Sequence, residues 1–267
     1  MSAPIGIFDS GLGGLTVARA VFDRLPAEAV LYVGDTARVP YGPKSPETVR
    51  RYSLEILRWL LAHRVKAVVV ACNTSTAHAL DALQAASPVP VIGVIAPGAE
   101  AAVRAAPEGP VGVIGTAGTI GSGAYAAAIA RLAPGVRVVE RACPLFVPLV
   151  EEGWFDRQVT ELVAGEYLAP LRAAKVRAVV LGCTHYPLLA PLLQRVLGAG
   201  VTLVDGGAAA AEALARELGA RGLLEPGPGP GPHRFCVTDD TARFLEVGRR
   251  FVGEHLEAAE LVTLDAG

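Results

Sequence analysis

Short, almost uninterrupted apolar runs alternate with Ala/Leu/Arg-rich stretches along the chain, and this alternation restricts the fold more than any other feature. β-type runs fall near Ile5–Phe8, Val30–Val33, Ala67–Ala71, Pro90–Val94, Val111–Gly115, Val136–Glu140, Arg177–Gly182, Val201–Asp205 and Arg234–Thr238. Helical patterns follow most of them, at Pro46–His63, Thr74–Ala86, Asp156–Ala174, Pro187–Leu197 and Ala208–Leu218. A strand with one wet face alternates apolar and polar residues, whereas a strand covered on both faces has no need to. The runs here do not alternate, so the pattern predicts parallel sheets built from βαβ units.

The chain also repeats itself. Ala67-Val68-Val69-Val70-Ala71-Cys72-Asn73-Thr74 matches Ala178-Val179-Val180-Leu181-Gly182-Cys183-Thr184-His185. Upstream, Ile5-Gly6-Ile7-Phe8-Asp9-Ser10 resembles Val111-Gly112-Val113-Ile114-Gly115-Thr116, in the same order and at a similar offset. The expected fold is therefore α/β, with two similar three-layer lobes of parallel sheet related by pseudo-two-fold symmetry. One lobe is placed at 1–95 and the other at 96–206, with 207–267 returning to the first. The segment 225–232 is a Pro/Gly run, which cannot be helix or central strand and is expected as an exposed loop.

Composition narrows the function classes. A chain of 267 residues can bury a core without disulfides or a structural metal. With 24 Lys+Arg against 26 Asp+Glu, it carries no bulk positive charge for nucleic acid or anionic lipid. No apolar run approaches the roughly 20 residues of a spanning helix, and the start lacks the regions of a signal peptide. A cytoplasmic protein with no membrane and no nucleic-acid partner is expected. Its four cysteines, at 72, 143, 183 and 236, form no C-x-x-C pair and match neither a zinc ribbon nor a redox motif, so no metal is expected.

Ligands of parallel α/β sheets bind at the carboxyl ends of the strands. There the sequence places Asp9-Ser10-Gly11-Leu12-Gly13-Gly14, Gly34-Asp35-Thr36, Cys72-Asn73-Thr74, Gly115-Thr116-Ala117-Gly118-Thr119 and Cys183-Thr184-His185. The glycine loop reads G-x-G-G-x-T, with Thr16 where a dinucleotide fingerprint has its third glycine; a tight turn into a helix is the plainer reading. Lone strand-end cysteines are usually buried structural thiols, and Cys143 and Cys236 are read so. Cys72 and Cys183 differ. They occupy equivalent positions of the two lobes, are followed by polar residues, and are predicted at helix N-termini, where the dipole favours a thiolate. The chain's single asparagine, Asn73, sits beside one of them. Two thiols across one cleft suit a racemase, which removes a proton from one face of a carbon and returns one to the other. Asp9 and His185 are placed to hold the thiol proton. A binding protein for acidic amino acids would use the same cleft without chemistry.

Five segments together carry a family resemblance: Ile7–Gly14, Tyr32–Gly42, Ala71–Thr74, Cys143–Gly153 and Gly182–Pro187. In this order they resemble the signature segments of glutamate racemases. The resemblance implies a cofactor-independent enzyme interconverting L- and D-glutamate for peptidoglycan, with racemisation of aspartate as the nearest rival. It implies Cys72 and Cys183 as the acid/base pair, the first acting on D-glutamate and the second on L-glutamate. Asp9, Ser10, Tyr41, Gly42, Asn73, Thr74, Thr116, Thr119, Thr184 and His185 would surround the substrate, with Asp35 and Glu151 as supporting acids. A homodimer is expected. The sequence departs from the family pattern at Ser75-Thr76 and at Gly206-Gly207, where a polar residue commonly follows the aspartate.

Overall fold

The computed structural model describes residues 3–227 and 233–264. The first half of the chain runs β1 (Ile5–Asp9), α1 (Leu15–Arg24), β2 (Val30–Gly34), α2 (Pro46–Ala62), β3 (Ala67–Val70), α3 (Asn73–Ala86), β4 (Val91–Gly93) and α4 (Ile95–Ala105). It continues through β5 (Val111–Gly115), α5 (Ala117–Gly121), α6 (Ala124–Leu132), β6 (Val138–Ala142), α7 (Phe146–Glu151), α8 (Gln158–Ala173), β7 (Ala178–Gly182), α9 (Ala190–Leu197) and β8 (Thr202–Asp205). It ends with α10 (Gly206–Ala220), β9 (His233–Val237), α11 (Thr241–Val252) and β10 (Glu260–Leu261).

Two sheets form, of order β10-β9-β2-β1-β3-β4 and β6-β5-β7-β8, and every pairing is parallel. The order β2-β1-β3-β4 repeats in the second sheet as β6-β5-β7-β8, so the repeat read in the sequence is a repeat of topology. Phe8 pairs with Val70 in one sheet and Gly115 with Gly182 in the other. The two strand-end loops that carry Cys72 and Cys183 therefore occupy the same place in each lobe. The central strands β1, β3, β5 and β7 are buried along their whole length, as their unbroken apolar sequence requires. β9 and β10 extend the first sheet beyond β2.

Local chemistry sets the helix limits. Ser45 caps α2 by accepting from the Thr48 N–H at 3.3 Å, with Pro46 in the first turn, where its missing N–H costs nothing. Asp205 caps α10 by accepting from the Gly207 N–H at 2.7 Å, which starts that helix at Gly206, two residues earlier than the sequence pattern indicates. α10 then packs on α1 and α4 through Ala210, Ala211, Leu214 and Leu218. These residues belong to one apolar cluster that also contains Ile7 and Val69 of the first sheet and Ile114 and Val179 of the second. Burying a leucine in such a cluster contributes about 1.5–3 kcal/mol, so the contact between lobes is part of the core rather than a loose hinge surface.

Two expectations need correction, and one strand is not expected from the sequence at all. β6 lies two residues later than its apolar pattern suggests, because its residues are only half-buried at a sheet edge and apolarity marks it poorly. The short β10 has no sequence signal, since both of its residues are exposed. Cys183 is not at a helix N-terminus: a 3-10 turn spans Tyr186–Leu189, and α9 opens only at Ala190, with prolines at 187 and 191 shaping the entry. Of the Pro/Gly run, Pro226 and Gly227 are exposed, and 228–232 lie outside the described residues.

Candidate active site

The carboxyl ends of β1 and β3 face those of β5 and β7, and polar contacts cross between them. Thr74 Oγ1 of the first lobe lies 2.9 Å from Thr116 Oγ1 and 3.2 Å from Thr119 Oγ1 of the second. Thr116 in turn caps α5, accepting from the Thr119 N–H at 3.2 Å. The Gly118 N–H donates to the Gly42 carbonyl at 2.9 Å. On the other side, Thr16 Oγ1 donates to the Thr184 carbonyl at 2.8 Å. A Cβ built on Gly13 would stand 2.2 Å from Thr184 Oγ1 and 2.5 Å from His185 Nδ1. The glycine loop is thus a cradle for the Cys183 loop, and the threonine that breaks the dinucleotide pattern is the residue that bonds to it.

Cys72 is the N-cap of α3, its sulfur accepting from the Ser75 N–H at 3.4 Å. The sequence led us to expect a lowered thiol pKa there. Burial instead pushes the Cys72 thiol up to about 11, with the Asp9 carboxylate adding to the rise and the Ser75 contact opposing it. Ser10, half-buried at the end of β1, lies near enough to favour the thiolate. Asp9 accepts from the Gly11 N–H at 2.9 Å through Oδ2, while Oδ1 is buried with no partner. Burial raises the Asp9 pKa, against the pull of His185 and of the backbone N–H groups around it. Because the Asp9 charge acts on both Cys72 and His185, the two thiol loops converge on it.

Cys183 is held differently. Its sulfur lies 3.8 Å from His185 Nδ1, and His185 Nε2 lies 3.0 Å from Glu151 Oε1 at the end of α7. Burial disfavours the imidazolium, but its bonds to Cys183 and Glu151 outweigh that, and the His185 pKa rises to about 10. Burial acts to raise Glu151 as well, and the His185 contact overcomes it, so the carboxyl lies below its ordinary range. An imidazolium–carboxylate pair therefore stands behind Cys183 at neutral pH.

The remaining sequence-predicted residues also gather here. Tyr41 is buried against Cys72 and Val49, but its hydroxyl is committed to Asp35. Asp35 is fully buried and also accepts from Arg38 Nε at 2.7 Å and Thr238 Oγ1 at 3.0 Å, so it anchors the loop that carries Tyr41 and Gly42. Asn73 Oδ1 accepts from the Tyr125 hydroxyl at 2.8 Å. Cys143 and Cys236 are both buried, and burial pushes them up to about 12 and about 11; Cys143 lies behind the Cys183 loop, its carbonyl accepting from the Tyr186 hydroxyl at 2.8 Å. Sequence reasoning missed Thr16, Arg38, Tyr125 and Thr238. Thr16 alone carried a signal, as the exception in a glycine pattern.

Two parallel α/β lobes with a thiol at the same strand end of each define the racemase class of fold. The chain belongs to the Asp/Glu/hydantoin racemase family, whose model matches residues 12–214. It is 52% identical over 261 residues to a glutamate racemase of Syntrophus aciditrophicus, covering 98% of this chain and 97% of that protein. Among solved structures, a glutamate racemase isoform of Bacillus anthracis superposes with a TM-score of 0.93 at 39% identity, covering 98% of both chains. The glutamate racemase of Francisella tularensis, solved with D-glutamate, gives a TM-score of 0.93 at 38% identity, covering 100% of this chain and 99% of that one.

Proposed function

We propose that this chain interconverts L- and D-glutamate without a cofactor, with Cys72 and Cys183 as the two acid/base groups. The observation that carries this reading is their placement: equivalent ends of β3 and β7, each buried, each with a charged partner of its own. In the L-to-D direction, the Cys183 thiolate takes the α-proton and the Cys72 thiol returns one from the opposite face. The carbanion between the two steps is delocalised into the α-carboxylate, which N–H and O–H donors of the strand-end loops stabilise as charge develops. Asn73, Thr74, Thr116, Thr119, Thr184, Ser10 and the Gly42 backbone supply those contacts. Asp9 and the His185–Glu151 pair set the charge around each sulfur. The similarity to a structure holding D-glutamate supports glutamate over aspartate.

The relatives' activity further supports a place in peptidoglycan synthesis, in the cytoplasm; among the described residues no helix is long and apolar enough to cross a membrane. We also propose lobe limits of 1–95 with 207–267 and 96–206. A homodimer is supported by the large apolar side chains Leu145, Trp154, Val159 and Leu162, which stay exposed within one stretch of the second lobe.

Incubation with L-glutamate in D2O tests the activity. Deuterium at Cα together with accumulation of the D-isomer is the expected result. Ligand binding with no exchange for either glutamate or aspartate would make the cleft a binding site only.

A further inference from the structure

Tyr125 of α6 is fully buried, and its surroundings are unusual for a core tyrosine. Its hydroxyl donates to Asn73, the residue after Cys72. Its ring edge lies against Gly182, the residue before Cys183, where an added Cβ would stand 3.1 Å from Cε2. The same side chain touches both places where the chain crosses between lobes. A Cβ on Gly98, in the first turn of α4, would lie 3.3 Å from the hydroxyl, and one on Gly206, at the return crossing, 3.6 Å from it. Three glycines thus leave room for the ring and offer no side chain to compete for its proton. The hydroxyl is therefore left to Asn73.

We propose that Tyr125 is a positioning residue, its hydroxyl fixing the Asn73 carboxamide so that Oδ1 faces the protein and Nδ2 faces the substrate. The inference rests on the proposed role of Asn73 in meeting the substrate. Burial, with the charges of Asp205 and Cys183, keeps the hydroxyl protonated. A buried O–H needs an acceptor, and a carboxamide offers one only at Oδ1. Among the described residues Nδ2 has no protein partner, yet it is not among the atoms sealed from solvent, so the amide nitrogen keeps some exposure although Asn73 as a whole is buried. Without the hydroxyl, the amide loses the bond that distinguishes its two ends. The flipped amide would present an acceptor to an anionic amino acid and weaken its binding.

The composition supplies a direct probe. Asn73 is the only asparagine in the chain, so protein labelled with 15N-asparagine gives a single side-chain NH2 pair. In wild type that pair should shift when D-glutamate is added. In Tyr125→Phe it should be shifted or broadened before any ligand is present. KM should rise by about three- to tenfold in both directions, the range for one lost neutral hydrogen bond, while kcat changes less than KM. Adding Tyr125→Phe to Asn73→Ala should produce no further loss, because the tyrosine acts through the amide. If wild-type Asn73 does not respond to glutamate, the substrate role of that residue fails. If it responds but Tyr125→Phe leaves the signal and KM unchanged, or its effect adds fully to that of Asn73→Ala, the positioning role is overturned. The ligand-free spectrum reads the amide even if the variant is too unstable for kinetics.

Discussion

Replacing Gly13 by alanine adds one methyl at the point where the glycine loop of the first lobe meets the Cys183 loop of the second. The new Cβ would stand 2.2 Å from Thr184 Oγ1, 2.5 Å from His185 Nδ1 and 2.6 Å from His185 Cε1. All three lie about 1 Å or more inside the usual contact optimum of ~3.5 Å. Neither side chain can yield by swinging into solvent, because Thr184 and His185 are both buried and His185 is held by Glu151 and stacked edge-on against Phe251. The Gly13 backbone is not in the left-handed region, so the effect is one of space alone. Relief requires the Cys183 loop to move away from the glycine loop by roughly 1 Å. Overpacking of this kind costs about 1–3 kcal/mol of stability. A displacement of that size at reacting groups costs about 10²-fold in rate.

The assay is kcat/KM for racemisation in both directions beside a thermal melt. The expected outcome is a folded variant with a modestly lower Tm and racemisation down about 10²-fold. Gly165→Ala is the control: it lies within α8 with nothing within 4 Å of an added Cβ. That change should stabilise by about 0.5–1 kcal/mol through helix propensity and leave the rate unchanged. Gly13→Ala with activity within twofold of wild type would refute the argument that this contact positions His185 and Cys183.

Cys72→Ser and Cys183→Ser should each lose about 10²-fold or more in racemisation, the scale of one general acid/base, while still binding glutamate; full activity in either would end the two-thiol mechanism. Glu151→Gln tests the pair behind Cys183 through its pH dependence. The folded His185 pKa of about 10 lies above the ordinary value of about 6.5, so its stabilising contribution is complete below the latter and is lost as pH rises through the former. Removing the Glu151 charge should bring that loss to lower pH, so the stability gap between wild type and variant in urea should narrow from pH 7 to pH 10.5. A gap independent of pH would show that Glu151 does not hold the imidazolium.

Much of this architecture is legible in sequence because burial on both faces leaves an apolar run, and duplication leaves the same run twice. β1, β3, β5 and β7 announce themselves for that reason, and so do the strand-end loops, since parallel sheets put their loops at one edge. What stayed hidden depends on which side chains meet across the lobes. Nothing in an alanine-rich helix marks Tyr125 as the partner of Asn73, and nothing near Arg38 or Thr238 marks them as donors to Asp35. Periodicity reports which face is buried, not what it is buried against.

The helix dipole expected at both thiols shows where the repeat misleads. Strand positions survive duplication because the sheet demands them, but the segments after them are free to diverge. Asn73-Thr74-Ser75 runs directly into α3, whereas Thr184-His185-Tyr186-Pro187 turns through a 3-10 segment first. The first loop keeps a helix N-terminus but stands beside a carboxylate, Asp9, and its thiol is held up at about 11. The second gives up the helix and gains an imidazolium. Two sulfurs at equivalent positions thus face charges of opposite sign. In the proposed mechanism each sulfur takes a proton in one direction and gives one in the other, so this inequality is a property of the pair and not a requirement of racemisation.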